Sequence, residues 1–338
     1  MRGLFSSAGT PFRAGFFFAS AAGGRACRQV QKLVEKFAVT LYFIVIIPGG
    51  DDLKSLYLAI VLGLALSHHA HAQRQPVDPV AAAKAGALNL KSASALVVDQ
   101  DGQRVLYAKN TETVMPIASI TKLMTALVVL ESGLPLDERI TIAGGDVDDI
   151  KRTRSRLKVG TSLTRNDLLK LALMASENRA AASLARAYPG GATAFVSAMN
   201  HKAVELGMWR TRFVDGTGLS SDNVSTARDL ARLVGAAYRH ELIRDYTTGT
   251  GYVVALDNGR LLQYRNSNGL VKNPQWEIGL SKTGYISEAG RCLVMQARIA
   301  ATPVIIVLLD SWGKLTRVGD ANRIKKWLES NRSRSPAG

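Results

Sequence analysis

Strand-forming sequence sits at both ends of one long segment and helix-forming sequence fills its middle, an order that few folds accommodate. Ala95-Leu96-Val97-Val98-Asp99 and Arg104-Val105-Leu106-Tyr107-Ala108 are two β-rich runs around an Asp101-Gly102 turn, which predicts a hairpin. From Gly251 the pattern returns to strands, at 251–256, 261–264, 278–285, 291–300 and 303–310, with Asp257-Asn258-Gly259 as a second hairpin turn. Between these ends the apolar spacing is helical. Leu123, Leu127 and Leu130 recur at intervals of three and four in a run from about Ile117, and Leu168 to Ala175 follows a Thr164 N-cap. Further helices are predicted over 179–187, 193–206 and from Ser225-Thr226 to roughly Arg239. An amphipathic helix over 317–329, apolar at Val318, Ala321, Ile324, Trp327 and Leu328, closes the chain. This order predicts a mixed α+β fold in which one antiparallel sheet, completed by the N-terminal hairpin, carries an inserted helical lobe. There is no internal repeat.

Composition narrows the function. With 338 residues, 47% hydrophobic and 21% charged, the chain has ample material for a packed core. Its formal net charge is +16, and since residues 1–72 carry seven Lys/Arg and three Asp/Glu, the remainder keeps +12. Such a surface favours anionic partners, among them nucleic acid, a membrane face or an anionic wall polymer. No aromatic-interleaved basic motif or zinc-finger spacing supports nucleic acid. The run Lys151-Arg152-Thr153-Arg154-Ser155-Arg156 reads as a solvated loop.

Two cysteines, Cys27 and Cys292, and five histidines are present. His68, His69 and His71 precede residue 73, which leaves His201 and His240 without an HExxH or a Gly-x-Ser-x-Gly motif, so neither a zinc hydrolase nor a Ser-His-Asp triad is indicated. No cofactor or metal site is expected. Lys54, the apolar run Leu56 to Leu66 and the small-residue Ala70-His71-Ala72 read as a secretory signal (53–72) cleaved after Ala72. Such a signal begins near its basic residue, so residues 1–52 are expected to be an over-extended start or a leader with no packed domain. Residues 73–93 read as a flexible lead-in, 94–330 as the main folded domain and 331–338 as a basic tail. Without the leader Cys292 stands alone, and its Leu293-Val294-Met295 flank marks it as core.

Chemistry enters at Ser119-Ile120-Thr121-Lys122, where a hydroxyl and an amine share one helix face near a helix start. A serine is a poor nucleophile until an adjacent base takes its proton, and a lysine serves only if its pKa falls to roughly 7–8. Ser-x-x-Lys is a weak signal by itself, for it recurs at Ser311-Trp312-Gly313-Lys314. Its company is what matters. Ser176-Glu177-Asn178 follows, at a predicted helix–helix junction, and Lys282-Thr283-Gly284 lies in a predicted strand. Ser221-Asp222-Asn223 is a rival for the second motif, but it precedes a helix cap and reads as a loop.

In that order the three motifs form the signature of penicillin-binding proteins and class A β-lactamases. The sequence from about Ser94 to Leu328 resembles the low-molecular-mass penicillin-binding proteins of the D-alanyl-D-alanine carboxypeptidase/endopeptidase type. Pro116 to Thr125, Leu173 to Leu184 and Val224 to Leu230 carry the likeness, which is strongest to the murein D-alanyl-D-alanine endopeptidase branch, the penicillin-binding protein 7/8 type. The resemblance implies a β-lactamase/transpeptidase-like fold, with a five-stranded antiparallel sheet flanked by helices and an inserted all-helical lobe.

It also implies roles. Ser119 would attack a D-alanyl peptide carbonyl with Lys122 as base, Ser176 would relay the proton to the leaving amine, and Asn178 would hold Lys122 and the substrate amide. Lys282 and Thr283 would bind a substrate carboxylate, Gly284 would admit the substrate closely, and the backbone N–H groups of Ser119 and Tyr285 would form the oxyanion hole. Peptidoglycan stem peptides are the implied substrates, β-lactam antibiotics the implied covalent inhibitors, and the periplasm the implied location. Relatives with carboxypeptidase activity commonly add a β-rich domain and a membrane-binding helix, whereas this chain stops soon after Leu328, which suggests a soluble enzyme held to wall or membrane by charge. A D,D-carboxypeptidase, a β-lactamase and a non-catalytic wall-binding protein are the alternatives. The lactamase lacks a Glu-x-x-x-Asn element for fast deacylation, and the intact motifs disfavour a mere binder.

Overall fold

The computed structural model describes residues 88–102 and 104–332. The leader, the signal segment, most of the lead-in and the end of the basic tail lie outside the described residues. The chain opens with β1 (Ser92–Asp99) and β2 (Val105–Lys109), joined through Gly102 at φ +69°. A short β3 (Met115–Pro116) leads into a 3-10 turn (Ala118–Thr121) and helix α1 (Lys122–Glu131). Strands β4 (Arg139–Thr141) and β5 (Ser162–Thr164) pair with each other before α2 (Arg165–Met174), α3 (Asn178–Arg186) and α4 (Gly191–Glu205). After β6 (Val224–Ser225), which pairs with β3, come α5 (Ala227–Tyr238) and α6 (Glu241–Thr248). The hairpin β7 (Gly251–Ala255) and β8 (Leu261–Arg265) precedes β9 (Glu277–Ile286), β10 (Gly290–Ile299), β11 (Thr302–Ser311) and α7 (Thr316–Arg332).

Five strands form the main antiparallel sheet, in the order β2-β1-β11-β10-β9. Its side chains alternate between two apolar layers. Leu96, Val98, Val294, Ile305 and Val307 face one cluster, shared with α5 and the helical lobe, while Val97, Leu293, Met295, Ile306 and Leu308 face another, capped by Ala321 and Ile324 of α7. Burial on both faces explains why β10 and β11 read as nearly continuous apolar runs. Cys292 is buried in the first layer with a free thiol, which burial pushes up to about 11. Helix α7 is pinned by buried Asp320, which accepts from Lys91 N (3.0 Å), Ser92 N (2.7 Å) and Ser92 Oγ (2.6 Å). Ser311, the start of the second Ser-x-x-Lys, joins this contact through Ser92 Oγ, and its Lys314 is exposed.

Two expectations are corrected. The β7–β8 hairpin is a separate two-stranded sheet, because its burial alternates strictly: Val254, Leu262 and Tyr264 point inward while Leu261, Gln263 and Arg265 are exposed. Helix α6 was not anticipated, since only Ile243, Tyr246 and Thr247 mark its buried face in a stretch of two turns. Caps behave as read: Thr164 Oγ1 accepts from Asp167 N (3.0 Å) and Thr226 Oγ1 from Asp229 N (3.1 Å). Among the described residues no helix is long and apolar enough to cross a membrane.

Candidate active site

Ser119 lies in the 3-10 turn rather than in a helix beginning at Ile117, and Lys122 is the first residue of α1. Residues three apart eclipse each other in 3-10 geometry, so the pair still shares a face. Ala118, just before the serine, is held at φ +47°, a left-handed conformation that costs about 1–3 kcal/mol for a side-chain-bearing residue and recurs at functional sites. Helix α1 is buried from Lys122 to Val129, so the lysine enters the core where a polar residue would ordinarily face water. Burial pushes its amine down from 10.5 to about 7, while the charges of Asp215, Glu177 and Asp148 pull it partly back.

Three oxygens surround Lys122 Nζ: Ser119 Oγ at 2.8 Å, Asn178 Oδ1 at 2.7 Å and the Thr217 carbonyl at 2.6 Å. As an ammonium the lysine donates to all three. The neutral amine has only two N–H donors and one lone pair. Asn178 Oδ1 and the Thr217 carbonyl can only accept, so they claim both donors and leave the lone pair facing the Ser119 hydroxyl. The amide cannot usefully flip, because Asn178 Nδ2 donates to Thr153 Oγ1 (2.9 Å). The lone pair of the neutral lysine thereby faces the Ser119 hydroxyl proton, the arrangement a general base requires.

Ser176 and Asn178 occupy the junction the sequence indicated. Ser176 takes φ +60° just past α2, Glu177 caps α3 by accepting from Arg179 N (3.1 Å), and Asn178 is the first residue of α3. From the sheet side, Lys282 Nζ donates to Ser176 Oγ (2.8 Å) and to the Thr283 carbonyl (3.0 Å). Lys282 is buried as deeply as Lys122, and burial, then the charges of Lys122 and Arg317, hold its amine well below the usual lysine range. Thr283 Oγ1 donates to Ser267 Oγ (2.8 Å). A Cβ on Gly284 would sit 2.8 Å from the Ile117 carbonyl and 3.3 Å from Ser119 N, so only glycine lets β9 come this close to the nucleophile turn. Strand β9 is the sheet edge, and Tyr285 on it is exposed, with the Arg291 guanidinium 4.4 Å above its ring.

The three sequence motifs thus meet at one place. The chain from about residue 80 to 313 matches the family model described as D-alanyl-D-alanine carboxypeptidase. It is 52% identical over 242 residues to a D-alanyl-D-alanine endopeptidase of Pseudomonas aeruginosa, covering 71% of this chain and 78% of that one. A D-alanyl-D-alanine endopeptidase of Escherichia coli is 45% identical over 264 residues, covering 76% and 85%. The chain belongs to the D-alanyl-D-alanine carboxypeptidase family. The crystal structure of the Streptomyces K15 DD-transpeptidase superposes with a TM-score of 0.66 at 28% identity, over 72% of this chain and 98% of that one. The mixed α+β fold with its five-stranded sheet is that of these transpeptidase neighbours.

Other features of this site escape the sequence. The rival triplet ends in Asn223, which is fully buried and works as a brace: its Oδ1 accepts from Val214 N (2.7 Å) and Asp215 N (3.2 Å), and its Nδ2 donates to Thr121 Oγ1 (3.2 Å). The basic run 151–156 is not simply solvated. Asp148 gathers it by accepting from the backbone of Ile150, Lys151 and Thr153, so that Thr153 reaches Asn178, and Lys151 pairs with Glu288 beyond β9. Arg317 of α7 donates to the Gly284 carbonyl (3.2 Å), placing a second cation beside Lys282. A lone arginine on the first turn of a helix carries no sequence signature. Thr217 contributes a backbone carbonyl, which no side-chain motif could disclose.

Proposed function

We propose that this protein is a serine D,D-peptidase that hydrolyses D-alanyl peptide bonds of peptidoglycan through an acyl-serine intermediate, acting mainly as an endopeptidase on D-alanyl–diaminopimelate cross-links. The observation that carries the reading is the Lys122 amine, wedged between two acceptor-only oxygens with its free lone pair on Ser119. Lys122 takes the Ser119 proton as Oγ attacks the D-alanyl carbonyl. The backbone N–H groups of Ser119 and Tyr285 receive the oxyanion, an interaction whose loss typically costs about 3–4 kcal/mol of barrier. Ser176, held by Lys282, relays that proton from Lys122 to the departing amine as the C–N bond breaks, and is left a neutral hydroxyl. Lys282, Thr283 and Arg317 form a cationic corner suited to the carboxylate next to the scissile bond, and water then releases the acyl group. The two endopeptidase relatives support the cross-link as substrate. The secretory signal and these cell-wall relatives support action in the periplasm, with the basic surface favouring the anionic wall.

Labelled penicillin tests the chemistry: wild type forms a stable adduct and Ser119→Ala forms none, whereas label retained by Ser119→Ala refutes the acyl-serine. Digestion of cross-linked muropeptide dimers alongside pentapeptide monomers tests the preference. Dimers cleaved faster is the expected result, and release of D-alanine from monomers alone would make the enzyme a carboxypeptidase. Slow loss of the penicillin adduct is expected because the glutamates around the motifs are engaged elsewhere, Glu277 with Arg298, Glu288 with Lys151 and Glu177 with the backbone N–H of Arg179. Rapid turnover of penicillin would indicate a β-lactamase.

A further inference from the structure

Residues 214–223 pack against the 118–121 turn that carries Ser119. The Gly216 carbonyl accepts from Thr125 Oγ1 (2.6 Å), the Thr217 carbonyl accepts from Lys122 Nζ (2.6 Å), and Asn223 holds Thr121 Oγ1. A Cβ on Gly218, at φ +78°, would fall 2.0 Å from the Ala118 carbonyl oxygen, so this turn lies directly on the peptide that precedes Ser119. One side chain organises it. Asp215 Oδ1 accepts from Thr217 N (2.6 Å), Thr217 Oγ1 (2.7 Å) and Gly218 N (2.6 Å), and its Oδ2 accepts from Ser220 N (3.0 Å). Four donors converging on one carboxylate fix the peptide plane of Thr217, and that plane decides where its carbonyl points.

We propose that Asp215 is a positioning residue for the acylation base: by clamping the 217–220 turn it directs the Thr217 carbonyl at Lys122 Nζ, so that the amine's remaining lone pair faces Ser119. The inference rests on the acyl-serine reading above and adds a residue that lies outside the three motifs. Asp215 acts through the turn and touches neither substrate nor Ser119. Its negative charge also bears on the state of the amine. The charged groups that face Lys122 are Asp215 from this turn, Glu177 from the start of α3, Asp148 from the loop after β4 and Lys282 from β9. Asp215 is the strongest of the three that favour the ammonium.

Asp215→Asn separates charge from clamp, because an amide oxygen at the Oδ1 position keeps the Thr217 and Gly218 contacts. The rate of covalent labelling by a fluorescent penicillin is followed from pH 5 to 9. In wild type it rises with pH as Lys122 loses its proton. Asp215→Asn should move that rise to lower pH by about one unit, as expected for loss of an opposite charge near a buried amine. Asp215→Ala, which also frees the turn, should slow labelling at least tenfold at every pH. Thr217→Val removes the Thr217 Oγ1 anchor to Asp215 but keeps the charge; it should slow labelling several-fold with its thermal midpoint near that of wild type. That variant decides the matter if either Asp215 variant fails to fold. Wild-type rates in Thr217→Val, or an Asp215→Asn profile that falls without moving along the pH axis, would overturn the proposal. A wild-type enzyme that takes no label at Ser119 would refute the acyl-serine reading instead, which keeps the two failures apart.

Discussion

Lys122→Met replaces a buried amine by an apolar side chain of similar length, and its effect on stability can be worked from the environment of Nζ. The amine falls from 10.5 to about 7 on folding. That gap corresponds to about 5 kcal/mol in the fully protonated state, and to about 4 kcal/mol at pH 7, where the folded lysine is already half neutral. The variant escapes this cost but leaves Asn178 Oδ1 and the Thr217 carbonyl without their donor, at about 1–3 kcal/mol each. Near pH 7 the two effects offset, and the net change is small. The pH dependence is not ambiguous. Between about 7 and 10.5 the unfolded chain binds the proton that the folded chain has released, so wild-type stability rises with pH through this window and the full cost is present below it. Wild type should therefore gain about 2 kcal/mol more than Lys122→Met between pH 7 and 9. Urea titrations of both proteins at the two pH values measure this difference. Parallel stability curves would refute the claim that Lys122 is held neutral by burial.

Other consequences follow from single contacts. Gly284→Ala puts a methyl 2.8 Å from the Ile117 carbonyl, so the nucleophile turn and β9 must separate; penicillin labelling should slow by about 10- to 100-fold, read as a rate at saturating reagent. A carboxylate entering beside Lys282 raises an amine that burial holds low. Binding of a D-alanyl peptide to Ser119→Ala should therefore take up protons, seen by calorimetry in buffers of different ionisation heat, and zero uptake would contradict a depressed Lys282. Asp320→Ala strands the Lys91 and Ser92 donors and should cost about 3 kcal/mol in denaturant titration. Burial pushes the Asp320 carboxyl up, but hydrogen bonds from Ser92, Lys91 and Arg323 outweigh it and hold it below its usual value. Its contribution is present above the ordinary aspartate range and is lost as pH falls, which the variant should not show.

What the sequence disclosed was local. Strands β10 and β11, the capped helices α2 and α5 and the Asp257-Asn258-Gly259 hairpin each carry their signal within a few residues, and each formed where it was read. The separate β7–β8 sheet was misassigned because a strand pattern tells which face is buried and not which strand lies alongside. The one-sided alternation in β7 and β8, set against the two-sided burial of β10, was the available clue. The 3-10 turn at Ser119 was hidden for a different reason: its Ala118 is held at φ +47° by packing against Gly218, a residue one hundred positions away.

The site divides along the same line. Ser119, Lys122, Ser176, Asn178 and Lys282 carry side chains whose chemistry survives in a one-dimensional string, and the fold gathers them into two hydrogen-bonded sets, Ser119 with Lys122 and Asn178, and Ser176 with Lys282. Thr217 and Gly218 act through a carbonyl and through the absence of a side chain, and Asp215 acts through the turn it shapes. Yet the lysine's orientation depends on both kinds. With Asn178 alone as acceptor, the amine could turn its second N–H toward Ser119 and its lone pair away. The Thr217 carbonyl removes that alternative, so the directional chemistry that the three motifs imply is completed by a backbone contact no motif contains.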